Sequence, residues 1–339
     1  MLPALPPLKP EPLISVILPV RNESAYIRKA LESLQSQDYP ADNIEIWVVD
    51  GLSTDDTRSQ VLALQQVDPR IALLDNPQQT APHAMNIGLE QVRGEVVVRV
   101  DGHCTLAPDY LSQCVRLLQQ TGAACVGGPL TSQGEGWWAQ AIALAMSSPF
   151  GVGNARFRYA DTPGYVDTLA FGAYRREVFE TIGHFNPELT RNQDDEFNYR
   201  LRQAGFQLYL SPEIRSVYYT RSSLKKLWSQ YFQYGFWKIR VIRDYPGSVQ
   251  ARHLVPGLFV LGLSASLLGA LSHRRLRRLP LVILLPYTLA SLVFGLKRTR
   301  TQRAYLPGVM SAFPVLHTAY GAGFWWGLLA VLKSAARRL

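Results

Sequence analysis

The residues of this 339-residue chain best placed for chemistry are carboxylates that follow apolar runs. Asp101-Gly102-His103 comes directly after EVVVRV, with two potential metal ligands one residue apart. A carboxylate and an imidazole at a strand end could hold Mg2+ or Mn2+, and such an ion neutralises the charge that grows on a departing diphosphate. Asp50 closes a second run, IEIWVVD, where it could accept hydrogen bonds from a base or a ribose. Residues 51–56 also contain plausible helix caps, so a capping role is open there. The stretch Asn192-Gln193-Asp194-Asp195-Glu196 sets three carboxylates at a helix start, where the helix dipole favours them. One of them could remove a proton from an acceptor hydroxyl. Asp194 and Asp195 leave a helix in different directions, so only one of the two is expected to reach such an acceptor.

These side chains need a scaffold that gathers strand ends. Residues 13–20 (LISVILPV), 44–50 and 95–101 read as short buried strands, and 71–74 as a further strand. Helical spacing lies between them, at about 24–37, from 53–57 onward and at 81–92. The alternation predicts an α/β fold: a Rossmann-like, mostly parallel sheet with helices on both faces. Ligands in such sheets sit beyond the carboxyl ends of the strands, which singles out 21–23, 50–53 and 101–103. Neither GxGxxG nor GxxxxGK[ST] occurs, so a nucleotide site would be acidic and metal-assisted rather than glycine-rich. After Trp137 the pattern becomes irregular as far as 166; residues 165–176 read as strand and turn, 194–204 as a helix and 206–210 as a strand.

Charge is split along the chain. From residue 251 onward there are 12 Lys or Arg and no Asp or Glu, leaving 23 basic and 26 acidic residues before that point. The net charge of +9 therefore belongs to the C-terminal quarter, where basic residues flank apolar runs at 254–271, 279–296 and about 312–332. That placement points to anionic lipid head groups and away from nucleic acid. The first two runs carry no charge and read as membrane spans; the third, with Pro314 and His317, reads as a span or an interfacial segment. Residues 222–244 form an amphipathic, aromatic-rich segment suited to a membrane interface, with a buried core helix as the other reading. Three cysteines lack zinc-ligand spacing and read as reduced thiols. The N-terminus lacks the pattern of a signal peptide, so the N-terminal part is expected to stay in the cytoplasm. The expected organisation is a lead at 1–12, a catalytic domain at 13–221, an interfacial region at 222–250 and a membrane domain at 251–339.

With these motifs in order, the chain resembles the family 2 glycosyltransferases of GT-A fold. ISVILPVRNE is similar to the family's first-strand signature, VVDGLSTDDT to its VVDDGSTDGT, and APHAMNIGL to the segment carrying its common Asn, here Asn86. RVDGH stands where the family has its DxD metal motif, and GAYRREVFETIGHFNPELTRNQDDEFNYRLRQAGF resembles its acceptor-side block. QYGFWK at 233–238 and HTAYGAGFWWG at 317–327 are similar to segments of bacterial exopolysaccharide transferases of the succinoglycan-pathway type.

The resemblance implies an inverting, metal-dependent transferase that moves a hexose from a nucleotide sugar, expected to be a UDP-sugar, to a hydroxyl of a lipid-linked sugar. It implies Asp194 as base with Asp195 as the second choice. Pro19, Arg21, Glu23, Asp50, Asn86 and Asp101 would face the donor, and Asp101 with His103 would hold Mn2+ or Mg2+. Gly172, Ala173, Gln233, Tyr234, Trp237 and Lys238 would lie on the acceptor side. The enzyme would sit in the cytoplasmic membrane with its catalytic domain facing the cytoplasm and membrane lipids as partners. A polyprenyl-phosphate glycosyltransferase and a catalytically degenerate membrane scaffold are the alternative readings.

Overall fold

The computed structural model describes residues 5–220 and 222–336; the first four residues of the expected lead lie outside the described residues. The first elements in chain order are β1 (Ile14–Val20), α1 (Ile27–Gln35), β2 (Ile44–Asp50), α2 (Thr57–Gln65), β3 (Ile71–Asp75), α3 (Ala81–Leu89), β4 (Val96–Arg99) and β5 (Cys104–Leu106). Next come α4 (Tyr110–Thr121), β6 (Cys125–Gly127), β7 (Leu130–Gln133), α5 (Trp137–Met146), α6 (Pro149–Val152), β8 (Gly164–Val166), β9 (Ala173–Arg175) and α7 (Glu177–Ile182). The last are α8 (Gln193–Gln203), β10 (Leu208–Leu210), β11 (Ser216–Tyr219), α9 (Leu224–Asp244), α10 (Ala251–Ser272), α11 (Leu279–Arg298) and α12 (Leu306–Ala336). They form two compact units: one runs up to Thr131 and takes in Ala160–Tyr218, the other combines Ser132–Tyr159 with the chain from Tyr219 onward.

The first unit is built on an eight-stranded sheet in the order β3-β2-β1-β4-β9-β6-β10-β8. β1 is apolar on both faces and almost wholly buried, and it pairs in parallel with β2 and β4. That register puts Val20 beside Asp50 and Ile17 beside Arg99. α3 covers one face closely because Gly88 has no side chain; a Cβ there would sit 2.6 Å from Ile17 Cγ2. The parallel arrangement holds from β3 to β4 and between β6 and β10, whereas β9 and β8 run antiparallel to their neighbours. Residues 165–176 thus separate into an edge strand, β8, and a central one, β9. β4 stops at Arg99, and the Asp101 carbonyl accepts from Cys104 N in the turn that follows. Asp101 and His103 therefore stand just beyond the end of a central strand.

In the second unit, the stretch that the sequence leaves irregular after Trp137 is helical through Met146. α5 is apolar except for Gln140, and its buried residues Ala139, Ala141, Ile142, Ala143, Ala145 and Met146 run nearly without a break, so no single apolar stripe marks it for a periodicity argument to find. It packs with Leu227 and Tyr231 of α9 and with Val309, Ala312, Phe313 and Leu316 of α12. α9 and α12 meet backbone to backbone: a Cβ at Gly323 would lie 2.0 Å from Phe232 O, and one at Gly235 2.0 Å from Tyr320 O. Small residues at such crossings allow close helix packing without bulky side chains. The apolar face expected to lie in a membrane interface is thus partly used on α12, while Trp228 stays 42% exposed. Three helical segments, Ala251–Ser272, Arg274–Arg298 and Arg303–Ser334, are long and apolar enough to cross a membrane.

Candidate active site

Arg99, the last residue of β4, organises the site. Its guanidinium is buried, with Nη2 3.1 Å from Asp101 Oδ1 and Nη1 3.6 Å from Asp194 Oδ2. One cation therefore joins the D-x-H turn to the first turn of α8. Arg99 Nε and Nη1 have no hydrogen-bond partner among the described residues, so the contact with Asp194 is electrostatic rather than a formed hydrogen bond. The signal in the sequence was one charge inside the otherwise apolar run VVVRV at 96–100. A charge enters a central strand only when it is paired.

The two carboxyls that Arg99 joins respond differently. Burial works against the Asp101 charge, but Arg99 and then His103 outweigh it and hold this carboxyl below its ordinary value. Burial raises Asp194 above the ordinary carboxylate range; Arg99 pulls against that, and the Asp195 and Asp101 charges reinforce it. Asp194 Oδ1 accepts from Asp195 N at 2.9 Å, and the side chain keeps 29% of its surface exposed. A carboxyl that is raised yet accessible, at a helix N-terminus that favours its anion, is suited to accept a proton. The neighbouring acid of this cluster does other work. Glu196 is buried and forms a two-pronged pair with Arg200, whose Nη1 and Nη2 also donate to Ile182 O and His184 O.

His103 is 9% exposed, its Nδ1 lies 2.9 Å from Glu23 Oε1, and its ring meets Tyr218 edge-on at 4.9 Å. Its Nε2 is buried with no hydrogen-bond partner among the described residues. Among the described residues no three His, Cys, Asp or Glu side chains form a metal cage. A divalent ion would therefore draw on Asp101 and on the unpaired Nε2 of His103, with phosphate oxygens and water completing its shell. The donor set fits a metal that is shared with a nucleotide.

Other residues singled out in the sequence have internal partners. Asp50 is fully buried and accepts from Ser53 N, Ser53 Oγ and Arg58 Nη1 at 3.0, 2.5 and 2.8 Å. The turn after β2 thus engages the carboxylate expected to meet a base or ribose. Asn86 Nδ2 donates to Phe185 O and Asn86 Oδ1 accepts from Phe185 N, so this amide clasps the loop that leads toward α8. Pro19 stands opposite Val49 within the sheet, and Arg21 is exposed just past β1. A Cβ on Gly51 would lie 3.3 Å from both Arg21 Cβ and the Gln79 backbone, which leaves little room for the second Asp common in the resembling signature.

Gly172 accepts from Arg99 N and leaves no space beside Tyr174 and Cys125; a Cβ would come within 2.6 and 2.7 Å of them. Gly172→Ala is accordingly expected to cost about 1–3 kcal/mol in unfolding free energy through overpacking, measurable by denaturant titration. Ala173 is buried in β9. Gln233, Tyr234, Trp237 and Lys238 belong to α9 of the second unit. There Gln233 accepts from Trp237 Nε1, Tyr234 accepts from Gln230, and Lys238 is buried.

The Glycosyl transferase family 2 description matches residues 15–183. Succinoglycan biosynthesis protein ExoA of Rhizobium meliloti (strain 1021) is 29% identical over 324 residues, 95% of this chain and 96% of that protein. A Methanococcus voltae protein is 34% identical over 238 residues, 68% of this chain and 74% of its own length. It is named dolichyl N-acetyl-alpha-D-glucosaminyl phosphate 3-beta-D-2,3-diacetamido-2,3-dideoxy-beta-D-glucuronosyltransferase. Among solved structures, the mannosyltransferase PcManGT from Pyrobaculum calidifontis, in complex with GDP-Man and Mn2+, has the same fold. It aligns with a TM-score of 0.60 at 20% identity, over 96% of this chain and 89% of that one. The strand-end carboxylates therefore stand on a GT-A scaffold followed by apolar helices, and the chain belongs to glycosyltransferase family 2.

Proposed function

We propose that this glycosyltransferase moves a hexose from a nucleoside diphosphate sugar, a UDP-sugar in the first instance, to a hydroxyl of a lipid-linked sugar. The observation that carries the reading is the Asp101–Arg99–Asp194 bridge, which brings the carboxylate of the donor-side motif to the same guanidinium as the carboxyl at the start of α8.

In this reading Asp194 accepts the proton of the attacking hydroxyl. The oxygen forms a bond to the anomeric carbon as the bond to the diphosphate breaks, and one displacement inverts the configuration. Asp101 and His103 would hold Mn2+ or Mg2+, which supplies positive charge against the leaving diphosphate. Arg99 keeps the two carboxylates together without letting their charges repel, and the low value of Asp101 keeps it anionic beside a cation. The three apolar helices would anchor the enzyme in the cytoplasmic membrane, where a lipid-linked acceptor lies within reach. The Methanococcus voltae relative takes its name from an acceptor of that class, a sugar carried on a dolichyl phosphate.

A polyprenyl phosphate is already an anion and needs no strong base, so the raised carboxyl at 194 favours a hydroxyl acceptor. Offering a polyprenyl-diphosphate-linked sugar and a polyprenyl phosphate in parallel tests this. Transfer to the first supports the reading, and transfer only to the phosphate overturns it. The pH profile gives a second check, because activity that needs the Asp194 anion is lost as pH falls through its raised value. Asp195→Asn removes one of the charges that raise Asp194, so the acid limb of kcat/KM is expected to move to lower pH. An unmoved limb in a pH–rate series would count against Asp194 as the titrating base.

A further inference from the structure

We infer that Glu23 serves the Asp101–His103 arm rather than the nucleoside, by holding the His103 proton on Nδ1 and the ring in the orientation that leaves Nε2 for a metal ion. The inference rests on the metal reading of Asp101 and His103 given above. The Glu23 Oε1 to His103 Nδ1 distance of 2.9 Å is a hydrogen bond. A carboxylate accepts, so the proton of that bond sits on Nδ1 and Nε2 is the nitrogen left to meet a ligand. Metal-binding histidines are commonly oriented in this way, by a carboxylate on the far nitrogen.

Four further observations fix the arrangement. Nε2 is buried with no hydrogen-bond partner among the described residues, and leaving such an atom unmatched costs about 1–3 kcal/mol, so a site that keeps it calls for a ligand. The ring is pinned from the side by the edge-on contact with Tyr218. Glu23 is itself held at the start of α1: its N–H donates to Thr57 Oγ1 at 2.8 Å, and its carbonyl accepts from Tyr26 N and Ile27 N. Gly102 completes the fit. A Cβ at that position would lie 2.8 Å from Val20 Cγ1 and 3.1 Å from Glu23 Cγ, so the absence of a side chain lets Glu23 lie against the D-x-H turn.

The test measures Mn2+ binding to the full chain in detergent, from the electron-paramagnetic signal of free Mn2+ with saturating UDP, and separately UDP binding without metal. Glu23→Ala is expected to weaken Mn2+ binding by about 10–100-fold. Glu23→Gln, whose amide oxygen still accepts from Nδ1, should lose much less. In a His103→Ala background the further change Glu23→Ala should add nothing, which is the signature of two residues acting as one. Gly102→Ala displaces the Glu23 carboxylate without removing it and should reproduce part of the loss. Metal-free UDP affinity should be unchanged throughout, which also reports that each variant is folded. Wild-type Mn2+ affinity in Glu23→Ala would overturn the inference, and an equal loss of metal-free UDP binding would return Glu23 to the nucleoside. A wild-type protein that binds no Mn2+ in the presence of UDP would overturn the metal reading itself and this assignment with it.

Discussion

Asp194→Asn is expected to lower the transfer rate by about 10²–10⁴-fold, the usual contribution of a positioned general base, while donor binding stays close to wild type. The asparagine is nearly isosteric and can keep the hydrogen bond from Asp195 N, so the first turn of α8 should survive. What disappears is the group able to take the hydroxyl proton and, with it, the acid limb of the pH profile. Single-turnover transfer and equilibrium donor binding, measured on the same preparation, separate the two effects. Loss of donor binding to the same extent would make Asp194 a structural residue, a part of the Arg99 pairing and nothing more.

Arg99→Met carries the second large effect because it acts on both carboxylates at once. Methionine fills much of the same volume but leaves Asp101 and Asp194 facing each other without a cation. Breaking a buried pair by removing one partner costs about 3–5 kcal/mol; the lower end, about 3 kcal/mol, applies here because both carboxyls keep some solvent contact. The expected changes are a lower denaturant midpoint and an acid limb displaced to higher pH, since Arg99 is the group that pulls Asp194 down. Arg99→Lys should recover only part of either, because a single ammonium cannot span two carboxylates as a guanidinium does. Wild-type stability together with an unmoved limb in Arg99→Met would show that the bridge plays no part.

The strands that deliver the site could be read in the sequence because they are buried on both faces. LISVILPV, IEIWVVD and EVVVRV are runs rich in β-branched residues, and each ends within two residues of a chemically capable side chain. α10 and α11 were equally legible as helices, since each is a long apolar run of a length that could cross a membrane. The three-residue strands β5 and β6 carry too few positions for any period to show, and their partners are set by the sheet rather than by local sequence.

The roles of individual site residues were harder to read for a related reason. Whether Asp50 faces a ligand or its own turn depends on Arg58, and whether Asn86 binds or clasps depends on Phe185, 99 positions away. Glu23 and His103 are 80 positions apart. Local sequence names the residue types that can do chemistry, but only the folded pairing says which of their atoms are already engaged.

The most direct test of the account is transfer or donor hydrolysis by the purified full chain, across a panel of UDP- and GDP-sugars with and without Mn2+. The account predicts a metal-dependent signal from one donor, lost in Asp101→Ala. Turnover that ignores Mn2+ and survives Asp101→Ala, or silence across the panel with lipid-linked acceptors supplied, would contradict it.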